Sequence, residues 1–197
     1  DPTAAAALQR APAILRAESL FPYTQGYAWV GQLMASGGTA AVDAAFARPP
    51  DSSEQVLHPE KYAAHEEPVV VTIPGGTASA LGTGWHATAQ DTLGEFVLRT
   101  WLTTAGLAPA DATTAAAGWG GDRIQLLSGP GGATALAIVT VWDTPADATE
   151  FAAAAGRAMA SVVGVGRVAS APGSSRVTIA IAPSASQAVE LEGAIAK

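Results

Sequence analysis

The sequence predicts an α+β fold: an N-terminal helical segment, then an antiparallel sheet with helices packed mainly on one face. Three observations carry this. In the first third, Tyr27, Val30, Leu33 and Met34 recur at helical spacing. In the second half, apolar β-rich runs come in neighbouring pairs, joined by Ser128-Gly129-Pro130-Gly131-Gly132 and by Pro172-Gly173-Ser174. After each pair a proline near a hydroxyl residue, Thr144-Pro145 and Pro183-Ser184, opens a helical stretch.

Taken in order, residues 3–20 read as a helix that Pro12 breaks or kinks. Phe21-Pro22-Tyr23 is expected to be a corner. A second helix is expected from Thr24 to Ala35, ended by Gly37-Gly38, and a short third one over 39–47, closed by Pro49-Pro50. Ser52, followed three residues later by Gln55, matches a capping box and predicts a short helix that His58-Pro59 stops. Val69-Val70-Val71-Thr72-Ile73 reads as a buried strand, and a Gly/Thr/Ser-rich loop follows over 74–88. Asp91 is expected to cap a helix over 92–105, ended by Gly106. Pro109 then opens a helix over 109–117. Strands are expected over 122–127, 133–142, 165–170 and 175–182, with a helix from 144 to 162 and another after Ser184. The strand 133–142 shows little polar alternation, which suits a central strand covered on both faces, or one covered by a helix and by the N-terminal half. The organisation expected is a helical segment over 1–66 and a sheet portion over 67–197, forming one continuous globular unit.

Composition excludes several functions. Hydrophobic residues make up 49% of the 197, enough for a sizeable core, although much of that fraction is Ala. The net charge is -7 and the ten basic residues are dispersed, so neither nucleic acid nor an anionic membrane surface is an expected partner. With no cysteine there is no disulfide, thiolate metal site or thiol nucleophile. No apolar run reaches the roughly 18 residues of a membrane-spanning helix. Opening on Asp1-Pro2 rather than Met, the chain is expected to be a mature or trimmed product.

Catalytic signatures are incomplete. His65-Glu66 begins an HExxH word, but position 69 is Val and Pro68 breaks the helix. His58, His65 and His86 share no helix face, so no metal and no cofactor is expected. Gly164-Val165-Gly166-Arg167-Val168-Ala169 imitates a dinucleotide fingerprint, yet it follows a helix and opens a strand, the reverse of what that fingerprint requires. Trp29, Trp101 and Trp142 lie within predicted elements and are expected in cores. Trp85 and Trp119 lie among glycines, where a tryptophan either stacks on a ligand or plugs the end of a sheet. Trp85, His86 and Trp119 are therefore the candidate ligand-binding residues.

The segment Ser52-Ser53-Glu54-Gln55-Val56-Leu57-His58-Pro59-Glu60-Lys61-Tyr62, after a double proline, resembles the S-T-E-Q-V-L-H-P-E-K-Y segment of surface-anchored, metallopeptidase-like proteins of bacteria and archaea. Phe21-Pro22-Tyr23, Gly26, Gly37-Gly38, Ala41-Val42-Asp43, Leu93-Gly94-Glu95-Phe96, Gly118 to Arg123 and Val141-Trp142-Asp143-Thr144 also look like motifs of that family, so the likeness covers most of the chain. The resemblance implies a zinc-binding HExxH helix and a further Glu ligand upstream of the FPY motif, and neither occurs here. It thus implies the downstream part of a zincin-like protein and an exported, often lipid-anchored, location.

Three functions follow as expectations. The first is a non-catalytic extracytoplasmic interaction or accessory domain with a protein or small-molecule partner. The second is the C-terminal portion of a zinc-dependent peptidase whose HExxH helix lies outside this chain. The third is a small-molecule binder using the Trp85/His86 loop. Within the signature, Ser52, Glu54, Gln55, His58, Glu60 and Tyr62 are expected to be structural.

Overall fold

The structure is a computed structural model that describes residues 2–196, with side chains from residue 6 onward. It divides into two units, Asp1–Pro68 and Val69–Lys197.

The first unit is helical. α1 (Pro2–Arg10) and α2 (Ala13–Phe21) are separated at Pro12, whose ring cannot sit inside a helix. The expected corner at Phe21-Pro22-Tyr23 does not form. Phe21 and Pro22 are both helical, and the chain runs through a π-helical turn, Pro22–Gly26, in which the Tyr27 N–H donates to the Pro22 carbonyl. The wider turn absorbs the bond that proline cannot donate. α3 (Tyr27–Ala47) is kinked at Gly38, which adopts φ 63 and ψ -154, where the glycine pair predicts the helix break. α4 (Ser53–Leu57) ends at His58. Pro59 does not merely stop it: lacking an N–H that a first turn would leave unused, it opens α5 (Pro59–Ala64) at once.

The second unit is a five-stranded sheet with helices. β1 (His86–Asp91), β2 (Trp119–Ser128), β3 (Thr134–Trp142), β4 (Val165–Ala169) and β5 (Arg176–Ala182) lie in the order β1-β2-β3-β5-β4. Every neighbouring pair is antiparallel. α6 (Gly94–Thr104), α7 (Pro109–Ala116) and α8 (Pro145–Ala158) cover one face, and α9 (Ala185–Ile195) covers the other. β1 was not expected: all six of its residues, His-Ala-Thr-Ala-Gln-Asp, are exposed, so this edge strand carries no apolar signal. Conversely, the expected strand Val69–Ile73 is not one. A backbone bond ties it to β2, the Val69 N–H donating to the Gly120 carbonyl at 2.7 Å, beside the bulge between Trp119 and Gly121 that interrupts the β2 ladder.

β3 divides its side chains between two cores. Ile138 and Trp142 join Leu98, Leu102, Phe151, Val177 and Ile179 under α6 and α8, whereas Ala135, Ala137 and Val139 join Leu191 and Ile195 of α9. Period-two alternation between two apolar layers leaves no polar face, which is why the sequence of β3 reads as a continuous apolar run. Trp142 stacks on Phe151 with ring centroids 4.3 Å apart. Its indole N–H donates to Thr140 Oγ1 at 2.7 Å, so the one polar atom of the ring is satisfied inside the core.

Trp142→Ala is expected to destabilise the chain by about 3–5 kcal/mol, the scale of large aromatic truncations in a packed core. Urea denaturation of both proteins measures it. A variant as stable as its parent would place this ring outside the core.

Candidate functional site

The second unit presents a groove of about 450 Å³, bounded by Trp101, Thr104 and Ala105 of the α6 end, Thr134 and Leu136 of β3, Ile181 of β5, and Ser161 to Val163 after α8. α6 owes its place to both of its ends. At the first, Gly94 turns the chain at φ 74, and the Asp122 carboxylate of β2 accepts the Leu93 and Gly94 N–H groups, each at 2.8 Å. Asp91, the expected cap, instead takes the Thr92 N–H at 2.8 Å, within its own turn. At the second end Gly106, at φ 100, allows the Gly106 N–H to reach the Thr103 carbonyl and the Leu107 N–H the Leu102 carbonyl, closing the helix. Between them Leu98 and Leu102 are fully buried, four residues apart, while Trp101 is half-buried against the same core and forms the groove wall.

The chemistry of this groove is neutral, since none of its lining residues ionises. Thr104 Oγ1 donates back to the Thr100 carbonyl at 2.8 Å, and Ser161 Oγ to the Ala158 carbonyl at 2.8 Å. With those hydrogens committed, the oxygen lone pairs are what the two hydroxyls can offer a ligand. A buried charge lies at the other end of α6. Asp122 is only 3% exposed and also accepts the Trp119 indole N–H at 2.9 Å. Burial raises its pKa above the ordinary 3.8, against the pull of the Leu93, Gly94 and Trp119 hydrogen bonds and of Arg123.

The candidate ligand-binding residues fall elsewhere. Trp119 is a core residue at 1% exposure, its N–H held by Asp122, so it is closed to ligands. Trp85 lies half-buried over Gly129, where a Cβ would run into its ring; it plugs the end of the sheet. His86 is exposed at the start of β1, with Nδ1 3.4 Å from the Gly84 carbonyl. Trp101, which borders the groove, was missed because its spacing within α6 reads as plain core.

The signature segment forms a polar knot in the first unit. Ser52 Oγ accepts the Gln55 N–H at 3.2 Å and caps α4. The Gln55 side chain accepts the Asp51 N–H at 2.8 Å and donates to the Glu66 carbonyl at 2.7 Å. The Lys61 ammonium bridges Glu54 at 2.8 Å and Glu66 at 2.6 Å, with Glu54 only 2% exposed. Tyr62 meets Trp29 edge-on at 5.0 Å and donates its hydroxyl to the Arg48 carbonyl at 2.8 Å. The side chains of His58 and Glu60 form a more exposed pair 3.5 Å apart, while the His58 backbone joins the knot, its N–H donating to the Glu54 carbonyl at 2.7 Å and its carbonyl accepting the Lys61 N–H at 2.9 Å.

Three measurements bear on these anchors and on Asp122. Lys61→Met removes the ammonium from a buried carboxylate and is expected to cost about 3 kcal/mol, against about 1 kcal/mol for Ser52→Ala, which removes a cap. Equal costs in urea titrations would deny the buried pair its weight. Asp122→Ala orphans three buried donors and is expected to cost about 3 kcal/mol or more. For Asp122 itself the folded pKa lies above the unfolded one. The folded state therefore holds more protons between 3.8 and that raised value, and stability is lost as the pH rises through this interval. Asp122→Asn should flatten that part of the stability profile, and an unchanged slope would assign it to other groups.

No curated protein and no solved structure matches the chain. The sequence profile of a domain of unknown function, DUF8575, matches residues 80–192. That span runs from the turn before β1 into α9 and contains both Asp122 and the groove. With more than half of its length inside this match, the chain belongs to the DUF8575 family.

Proposed function

We propose that the chain is a non-catalytic binding or accessory module, acting outside the cytoplasm, that takes an uncharged and largely apolar ligand in the Trp101 groove. The observation that carries the reading is the groove lining: an indole, aliphatic side chains and hydroxyls, with no ionisable group to move a proton. Its volume falls within the range of small-molecule sites. The Trp101 ring supplies a flat apolar wall, and the Thr104 and Ser161 oxygens favour a ligand that donates an N–H or O–H. The accessory role and the external location are supported by the likeness of residues 52–62 to exported metallopeptidase-like proteins.

The test is a screen of small neutral aromatic molecules against the whole chain by ligand-observed NMR. Binders are expected to be lost with Trp101→Ala and with Ala105→Phe, which fills the groove, while circular dichroism stays unchanged. Binding that survives both variants, or a preference for charged molecules, would sink the reading.

A further inference from the structure

The first unit exposes more apolar surface than a free helix needs. Tyr23, Tyr27, Val30 and Met34 recur at spacings that place them on one helical face, and they are 79%, 78%, 40% and 46% exposed. Val30 also borders an apolar pocket of about 210 Å³ lined by Trp29, Leu33, Val42, Ala45, Pro49 and Pro50, with Phe46 at its edge. Phe46 is itself 84% exposed. Through Val30 the stripe and the pocket form one continuous patch. Gly31, between Tyr27 and Met34, has nothing within 4 Å of where a Cβ would stand, so another backbone can approach there. The Trp29 side chain lines this pocket, and its buried Nε1–H meets no acceptor among the described residues.

We propose that this patch is the contact of a two-fold dimer, covered by a second copy of the same chain. Area is the first argument. At roughly 200 Å² for each aromatic side chain, Tyr23, Tyr27 and Phe46 alone leave about 500 Å² uncovered. With Val30, Met34 and the pocket walls this approaches the ~800 Å² that each partner contributes to a stable interface. Shape is the second. The patch carries both an outward aromatic ring, Phe46, and an unfilled apolar pocket large enough for such a ring, as a two-fold contact between identical surfaces requires. Charge is the third. Each copy carries -7, yet no Asp, Glu, Lys or Arg occurs from Ser19 to Val42, the stretch that holds Tyr23, Tyr27, Val30 and Met34, and beside Phe46 stand one acid and one base, Asp43 and Arg48, so two copies can meet there with little apposition of like charges. A membrane surface is the less suited occupant, because the one basic residue beside the patch, Arg48, already donates to the Tyr62 carbonyl, and a single cation attracts anionic headgroups weakly.

Sedimentation velocity of the whole chain, from low to high micromolar concentration, tests this. The expected result is a monomer–dimer equilibrium. Phe46→Asp and Tyr27→Asp should each raise its dissociation constant by about thirtyfold or more, the scale of an aromatic anchor lost from an interface. Because both side chains are exposed in the monomer, their melting profiles at the lowest concentration should match the parent. Val189→Asp, on α9 of the second unit, should leave the equilibrium unchanged. A monomer at every concentration overturns the proposal, as does a dimer indifferent to both substitutions. A monomer that cosediments with phosphatidylcholine vesicles, and loses this with Tyr27→Asp, would assign the patch to a lipid surface instead.

Discussion

The Asp122 carboxylate is the constraint on which the second unit depends. It sits at the start of β2, just past a bulge, and collects the first two N–H groups at the head of α6 together with the indole of Trp119. One side chain thus fixes where a helix begins, how it is set over the sheet, and how the largest ring of β2 is turned. A buried carboxylate is costly to desolvate, and here that cost is offset by three donors that would otherwise be orphaned. Removing the carboxylate therefore loosens a helix as well as a hydrogen bond. The position of Trp101, and with it the groove wall, follows from the same anchor.

The second constraint is the shortage of large apolar residues. Ala148, Ala154, Ala155 and Ala158 of α8 are buried, as are Ala112, Ala115 and Ala116 of α7. Alanine lets a helix lie close to its neighbour but removes little area from water per residue. The stabilising area must then come from a few rings: Trp119, Trp142 and Phe151 are the largest fully buried side chains. Two of these need a polar partner for the indole N–H, and each finds it within the same strand, Asp122 three residues along β2 and Thr140 two residues back on β3. The buried polar groups of this unit are thus part of how an alanine-rich core accommodates tryptophan.

Local signals determined what could be read in advance. The hairpins β2–β3 and β4–β5 and the helices after them announce themselves through Gly/Pro turns and Ser or Thr caps, all of which act within a few residues. Ser52 and Gln55 were legible for the same reason. What escaped was settled over longer distances. Asp91 has the right residue type one turn before α6, but Asp122 reaches that helix end across the sheet, and sequence spacing cannot separate the two. β1 pairs through its backbone with no apolar residue facing inward, while Val69–Ile73 has strand-like side chains and an interrupted neighbour. The groove was invisible because its walls come from α6, β3, β5 and the turn after α8, none of which carries a motif. Lys61 was overlooked because its weight depends on Glu54 being buried.

The two units also differ in how their apolar residues are spent. In the second, the alternation of β3 and β5 delivers nearly every apolar side chain to one of two cores. In the first, α3 buries Trp29 and Ala45 but leaves Tyr27 and Phe46 in water, and cohesion near its end comes from the polar knot of Glu54, Gln55, Lys61 and Glu66. Hydrogen bonds and ion pairs are directional and contribute modestly net of desolvation, so they fix the geometry of α4 and α5 without covering α3. The conformation of the signature segment is therefore specified more sharply than the surroundings of the helix before it. This is the arrangement expected where the chain's own residues define a surface and burial of that surface is left to something else.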